Sequence, residues 1–345
     1  MNRAIRWATV VIALLLSAAA GFGVWTELRS LDEPLNVSSP LQFKVGAGSR
    51  FTRVAAALAA QGVVAHPRVW VLYARAKGFD TAIKAGEYEI APGMTPRELL
   101  GKIVSGQVVL HSLTVVDGWR VQDLLLAMRR NPDIFSTLPD NPVDLMGKLG
   151  FPGTNAEGQF LPETYRFAGG TSDLELLRQA HSALVRALDA AWLGRDAAIP
   201  LHNAGELLIM ASIVEKESGL PDELPKIAGL YLHRLSIGMR LQADPTVIYG
   251  LGDAYDGTVH TADLRNDGPY NTYTRAGLPP TPIALTGAAA ITATARPQNT
   301  DALYFVASAK GDGSHVFSAT LEQHNAAVAQ YLAGQRQRAA SESAR

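Results

Sequence analysis

The run Leu207-Leu208-Ile209-Met210-Ala211-Ser212-Ile213-Val214 constrains this chain most. Eight residues with no charge and a single hydroxyl pass directly into Glu215-Lys216-Glu217-Ser218 and then Gly219-Leu220-Pro221. Leu207, Met210, Ala211 and Val214 recur at i, i+3, i+4 and i+7, while Leu208, Ile209 and Ile213 fill the other faces. The spacing therefore predicts a helix buried nearly all round, at the centre of a sizeable core. Gly219 and Pro221 stop that helix and leave two carboxyls in a last turn whose unpaired carbonyls disfavour negative charge. Desolvation beside apolar surface acts in the same direction and holds a carboxyl's proton to higher pH, as a general acid working near neutrality requires. A solvated last turn, where a buried helix surfaces, has the same composition. Glu215 and Glu217 lie about 200° apart around the helix, so they enter different surroundings and only one of them suits the acid's role. Spacing leaves the choice open, since Glu217 extends the Met210/Val214 stripe and Glu215 extends Leu208/Ala211.

A chain of 345 residues is long enough for two domains. It is 47% hydrophobic and only 18% charged, and the apolar excess sits at the N-terminus. From Trp7 to Trp25 there is no charge, and about 19 residues match the thickness of a bilayer core. The run is longer than the hydrophobic segment of a signal peptide, although Ala18-Ala19-Ala20 offers small residues for cleavage, so an uncleaved anchor is expected over 7–25. Arg3 and Arg6 precede it, which places residues 1–6 in the cytoplasm and everything after Thr26 on the other side of the membrane. The absence of cysteine excludes disulfides, thiolate nucleophiles and thiolate-bound zinc. A net charge of −1 offers no basic excess for nucleic acid. The eight histidines are scattered without a metal-ligand spacing, so neither a metal nor another cofactor is expected.

Proline and polar residues over 26–40 read as a stalk. Gln42-Phe43-Lys44-Val45 alternates as a strand and turns through Gly46-Ala47-Gly48 into a helix over 50–61 capped by Ser49. Pro67 opens a second helix, Gly86 to Ile90 alternates as a returning strand, and Thr95-Pro96-Arg97-Glu98 is a capping box with proline at the first helical position. This strand-helix-helix-strand-helix order over 41–106 resembles the LysM-like domains that bind peptidoglycan glycan. A spacer with no ligand has the same pattern. Further on, Val121 to Arg130, Asp173 to Trp192, Glu223 to Leu235, residues 286–295 and Leu321 to Leu332 read as helices. Leu303 to Ala307 and His315 to Phe317 read as strands, and the tail over 335–345 as disordered.

Two runs lack clean periodicity, Gly238 to Gly250 and Tyr270 to Ile283. Their amide, hydroxyl and aromatic side chains, held by prolines and glycines, describe a groove suited to sugars. Gln242, Asp244, Thr246, Tyr249, Tyr270, Asn271, Thr272 and Tyr273 are its candidate binding residues, with Ser218 beside the glutamates.

Four motifs then occur in order: Ala211-Ser212-Ile213-Val214-Glu215-Lys216-Glu217, Arg240 to Gly250, Tyr270-Asn271-Thr272-Tyr273, and Gly277-Leu278-Pro279-Pro280. Together with the N-terminal span, the LysM-like module and the Tyr304-Phe305-Val306 and His315-Val316-Phe317 strands, they resemble the endolytic murein transglycosylases, the YceG-like family. The resemblance implies a lyase of cell wall biogenesis, anchored in the inner membrane with its catalytic domain in the periplasm. Such an enzyme cuts nascent peptidoglycan strands internally, leaves 1,6-anhydro-N-acetylmuramic ends and has the peptidoglycan synthases as partners. It also implies that the catalytic acid is the second glutamate, Glu217, next to Ser218 as in the Glu-Ser pair of other lytic transglycosylases. The expected architecture is α+β, with a single transmembrane helix, the LysM-like module and a larger α+β catalytic domain over 107–334. A hydrolase would need a second carboxylate, for which Asp244 and Glu163 are candidates. A non-catalytic wall-binding protein would rely on the LysM-like module alone.

Overall fold

Alternation and punctuation dictate residues 41–106, and the computed structural model follows them. It describes residues 7, 11–12, 14–15, 17, 22–23, 25–139 and 144–343, and the chain is α+β. The expected span 7–25 lies largely outside the described residues. Among those described, no helix is long and apolar enough to cross a membrane.

The chain divides into two units. The first runs to His111 and regains Arg166–Gly170; the second holds Ser112–Tyr165 and Thr171 onward. The boundary expected at 107 thus falls a few residues later, and 166–170 rejoins the first unit.

In the first unit, β1 (Leu41–Val45) pairs antiparallel with β2 (Gly86–Ile90), Phe43 opposite Tyr88. The two-residue period turns Phe43, Val45, Tyr88 and Ile90 inward. Helices α1 (Phe51–Ala60), α2 (Pro67–Ala76) and α3 (Pro96–Ser105) close over them. Proline opens both α2 and α3, and Thr95 and Glu98 form the expected reciprocal cap. Ser49 does not cap α1, which starts one residue later behind Arg50 with no side-chain cap. Trp70 is fully buried, edge-on to Phe51 at 4.7 Å, with its indole N–H donated to Pro96 O at 2.8 Å.

The stretch 26–40 is not a stalk. Residues 25–29 are helical, and Leu31 and Leu35 are buried in the same core as Phe43 and Trp70. Their apolar side chains have a core within reach, which a reading of proline and polar residues alone overlooks.

Strands β3 (Leu110–Thr114) and β5 (Thr164–Ala168) contain the points of division. In the second unit α4 (Val121–Arg130) precedes β4 (Ile134–Phe135) and the short α5 (Leu145–Leu149). The parallel partner of β4 is β6 (Thr171–Ser172), which leads into α6 (Asp173–Leu193). The centre is α7 (Ala204–Glu217), capped by Asn203 Oδ1 accepting Glu206 N–H at 2.9 Å. Helices α6, α8 (Leu224–Ser236), α9 (Asp244–Leu251) and α11 (Ala288–Ala295) pack around it; α10 (Thr261–Arg265) lies beyond α9. Leu207, Leu208, Met210, Ala211, Ile213 and Val214 are all buried, as the all-round apolar pattern requires. Ser212 is satisfied inside, donating to Ile209 O at 2.7 Å and accepting Ile283 N–H at 3.1 Å. Strands β7 (Tyr304–Ala307) and β8 (His315–Ser318) form an antiparallel hairpin before α12 (Leu321–Ser343). Helix α12 continues well past Gly334, where a disordered tail was expected.

The packed segment gives a stability test. Leu31→Ala in the full chain should cost about 2–5 kcal/mol by urea unfolding, the range for emptying a core leucine site; a spacer position would show no change.

Candidate active site

Glu217 is the last residue of α7, and Ser218 leaves the helix in extended conformation. A 3₁₀ turn over Pro221–Glu223 reverses the chain into α8, which packs along α7. That packing brings Tyr231, 1% exposed, against the carboxyl, and its O–H donates to Glu217 Oε1. One helical turn on, Arg234 is buried with its guanidinium donating to two carbonyls, Leu303 O at 2.6 Å and Leu241 O. A buried cation must be satisfied, and here main-chain oxygens do it.

These groups border a cleft of about 390 Å³ with Gln242 and Asp244 from the first aperiodic run, Tyr273 from the second, Tyr304 and Phe305 from β7, and Leu321 and His324 from α12. Asp244 opens α9, and its carboxylate accepts the Tyr273 O–H at 2.5 Å. Gln242 has φ +52°, the left-handed region that costs a non-glycine residue energy. The turn is held by Gln242 N–H on Thr272 O at 3.1 Å and by Arg240 on Tyr273 O at 2.6 Å.

Burial pushes the Glu217 carboxyl up to about 7; the Tyr231 hydrogen bond opposes this, the Asp244 charge adds to it, and the Arg234 charge opposes it again. Burial likewise raises the Tyr231 phenol, and then the Glu217 charge raises it further. Tyr273 is raised by burial and by its bond to Asp244. Both phenols therefore remain donors. Because Tyr231 occupies Oε1, the acid's own proton belongs on Oε2.

Glu215 faces elsewhere. Its Oε2 accepts Gly287 N–H at 3.0 Å, capping the N-terminus of α11, and burial raises its carboxyl against that bond, with Asp117 adding to the rise. A second cleft of about 360 Å³ lies on this side, bordered by Asp117, Gly118, Glu215, Lys216, Ser218 and Gly219, and Glu217 borders it too. Ser218 Oγ donates to Glu223 Oε2 at 3.4 Å and accepts Leu220 N–H at 3.1 Å. Glu223 in turn holds His315 through Nδ1 at 2.6 Å and the main-chain N–H at 2.8 Å. Burial works against ionisation of Glu223, but the His315 bonds outweigh it and lower its carboxyl.

The structure thus gathers Glu217, Gln242, Asp244 and Tyr273 at one cleft and Ser218 at its neighbour. It does not bring the other candidates there. Thr246 and Thr272 are buried against each other, Oγ1 to Oγ1 2.9 Å, and Thr272 Oγ1 accepts Ala243 N–H at 3.0 Å. Asn271 is buried and spends its amide on the carbonyls of Asp263, Leu264 and Asn266 and on Tyr273 N–H. Tyr249 meets Tyr270 edge to face at 4.8 Å and donates to Glu157 at 3.3 Å, under the Arg120 guanidinium. Tyr270 pairs with Thr281 Oγ1 at 2.9 Å. These five build the loops that carry Gln242, Asp244 and Tyr273. Glu163 is exposed and borders neither cleft. Sequence reasoning missed Tyr231, Arg234, Tyr304, Phe305 and His324. Arg234 left a signal, since it continues the buried Ile227/Tyr231 stripe of α8 at i+7, where a charge needs a reason.

The sequence profile of the YceG-like family matches residues 43–330. The chain is similar to the endolytic murein transglycosylase of Bacillus subtilis (strain 168), 29% identical over 335 residues, covering 90% of this chain and 90% of that protein. It is also similar to the endolytic murein transglycosylase of Streptococcus pneumoniae serotype 2 (strain D39 / NCTC 7466), 27% identical over 367 residues, covering 94% of this chain but 64% of that longer protein. Among solved structures, it resembles a yceG-like protein of Listeria monocytogenes with TM-score 0.49 and 25% identity, covering 84% of this chain and 99% of that one.

A carboxyl raised from 4.5 to about 7 makes stability depend on pH. Between those values the unfolded chain has lost a proton that the folded chain keeps, so this contribution to stability is full below about 4.5 and is lost as pH rises through about 7. Glu217→Gln removes the effect. Relative to wild type, the variant should gain up to about 3 kcal/mol between pH 4.5 and pH 8, read by urea unfolding at each pH. A difference that does not change with pH would mean an ordinary carboxyl.

Proposed function

The chain belongs to the YceG-like family, and from that premise we propose that it is an endolytic murein transglycosylase. It is a lyase that cuts peptidoglycan between N-acetylmuramic acid and N-acetylglucosamine and leaves a 1,6-anhydro end. The observation that carries this reading is Glu217, a carboxyl raised to about 7 at the edge of an open cleft. At neutral pH it holds a proton in a useful fraction of molecules, and Tyr231 keeps Oε1 occupied so that Oε2 presents it.

In the reaction Glu217 protonates the glycosidic oxygen, the bond from the muramic C1 to that oxygen breaks, and the electron pair stays with the departing sugar. The cation left at C1 is stabilised by the Asp244 carboxylate, which Tyr273 orients. The muramic 6-hydroxyl then attacks C1, and the Glu217 carboxylate takes its proton. The acid is regenerated and no water is consumed, so a second carboxylate to activate water is unnecessary. Phe305, Leu321 and Tyr304 give the cleft apolar and aromatic surface against which a sugar ring excludes water. Two clefts meeting at Glu217 suit a strand that continues on both sides of the broken bond, as internal cleavage requires. Asp244 in the same cleft also fits the second reading, a hydrolase in which it activates water. Anhydro ends in the digest support the lyase, and reducing ends the hydrolase.

The wider reading is an inner-membrane protein anchored by residues 7–25, with the LysM-like module and the catalytic unit in the periplasm and the peptidoglycan synthases as partners. It rests on the uncharged Trp7 to Trp25 run with Arg3 and Arg6 before it.

Digests of purified sacculi, followed by mass spectrometry, test the chemistry. Glu217→Gln should lower anhydro-product formation on the order of 10²- to 10⁴-fold, while Glu215→Gln, whose amide oxygen still accepts from Gly287, keeps most of it. Wild-type kcat/KM should fall as pH rises through about 7, because the reaction starts from protonated Glu217. Full activity in Glu217→Gln places the proton on another group. For the anchor, a reporter fused after Arg345 should be active only outside the cytoplasm, and the mature chain should keep its first residues. A mature N-terminus near Gly21 overturns it.

A further inference from the structure

The first unit carries a charge asymmetry that the reaction does not use. From Pro34 to Phe79 the chain has no aspartate or glutamate, yet it holds Lys44, Arg50, Arg53, Arg68, Arg75 and Lys77. Helices α1 and α2 pack together inside this stretch, and their outer faces leave an open groove of about 480 Å³ bordered by Thr52, Ala56, Val71, Leu72, Arg68 and Arg75. Arg68, Leu72 and Arg75 stand at i, i+4 and i+7, one face of α2. Leu72 is 64% exposed in the middle of a helix whose opposite face carries the buried Trp70 and Ala74. An exposed apolar stripe between two arginines, with no carboxylate among the groove residues, fits an amphipathic anionic surface.

The entry of the chain into this unit says which surface that is. Glu27 Oε2 lies 3.6 Å from Nδ1 of His66, the residue that precedes α2. Leu31 and Leu35 are then locked into the core. The helical residues 25–29 therefore pass beside the start of α2, two residues from Arg68, with only residues 26–30 between Trp25 and the buried Leu31.

We propose that the outer face of α1 and α2 rests on the bilayer, with Val71 and Leu72 in the headgroup layer and Arg68 and Arg75 on the phosphates of anionic phospholipids. This rests on the reading of residues 7–25 as a membrane anchor, which delivers the α2 face to the lipid surface. Guanidinium groups suit the site because they bind phosphate in forked geometry and are less strongly hydrated than ammonium groups. An acidic protein segment is the competing occupant, and the test separates it.

The chain has no cysteine, so Leu72→Cys in the full-length protein takes a single environment-sensitive fluorophore at an exposed position. The protein is placed in nanodiscs of phosphatidylcholine alone or mixed with phosphatidylglycerol. In the anionic discs the label should shift to the blue and resist aqueous iodide. Arg75→Glu should reduce the ratio of protected to quenched label about fivefold or more, and adding Arg68→Glu should reduce it again. Equal protection in both disc types, unmoved by these reversals, overturns the phospholipid assignment. So does a label quenched in every disc but protected on adding polyglutamate. Leu15→Cys, labelled in parallel, reports the anchor. Shielding at 15 with quenching at 72 overturns the docking alone, whereas quenching at both overturns the anchor and the docking with it.

Discussion

The Glu217 carboxyl sits where α7 runs out of apolar surface, and the burial that raises it to about 7 places demands on every element around it. Helix α7 must be covered on all sides, which is why α6, α8, α9 and α11 enclose it. A direct ion pair with Arg234 would hold Glu217 ionised at neutral pH and remove its proton. The guanidinium is instead spent on the carbonyls of Leu241 and Leu303, so the positive charge moderates the carboxyl from beside it without claiming it. The same two bonds tie the approach to α9 and the approach to β7 to α8. The residues that border the cleft are therefore positioned by the group that tunes the acid.

Two glutamates separated by one lysine have opposite employment. Glu215 closes the N-terminus of α11, a helix in contact with α7, and so maintains the burial on which Glu217 depends. Among the described residues Glu217 has no main-chain partner and hydrogen-bonds only to Tyr231, a donor too deeply buried to ionise. About 200° of helix rotation separates the two surroundings.

Period and punctuation made much of the fold legible. The all-round apolar pattern of α7, the prolines opening α2 and α3, the Thr95/Glu98 box and the alternation of β1 and β2 are local devices, and local devices survive in sequence. Gln242, Asp244 and Tyr273 stood out because polar and aromatic residues in an aperiodic run need an explanation. The same signal misled for Thr246, Asn271 and Thr272. A buried loop must satisfy its own peptide groups, and the amides and hydroxyls that do so are the residue types a sugar site also uses. Tyr231 was passed over because it lies on a helix whose apolar periodicity accounts for it, and the charge of Arg234 on the same buried stripe marks an exception without saying what it serves. Their role exists only once α8 folds back on α7, a contact no local pattern encodes. Leu31 and Leu35 escaped for a related reason, since two leucines among prolines have no period to reveal them.

If residues 7–25 anchor the chain, as proposed, those two leucines bear on how it can be turned over. With a flexible tether, a protease could clip the chain close to the folded body and release it whole. Here the segment that leads away from residue 25 is already part of the core by Leu31, and Leu35 is sewn in by its N–H bond to Met94 O at 2.7 Å. A cut that leaves the unit intact has only the few residues before Leu31 in which to fall. A cut just past Leu31 or Leu35 detaches core leucines from the first unit, so shedding there would destabilise that unit.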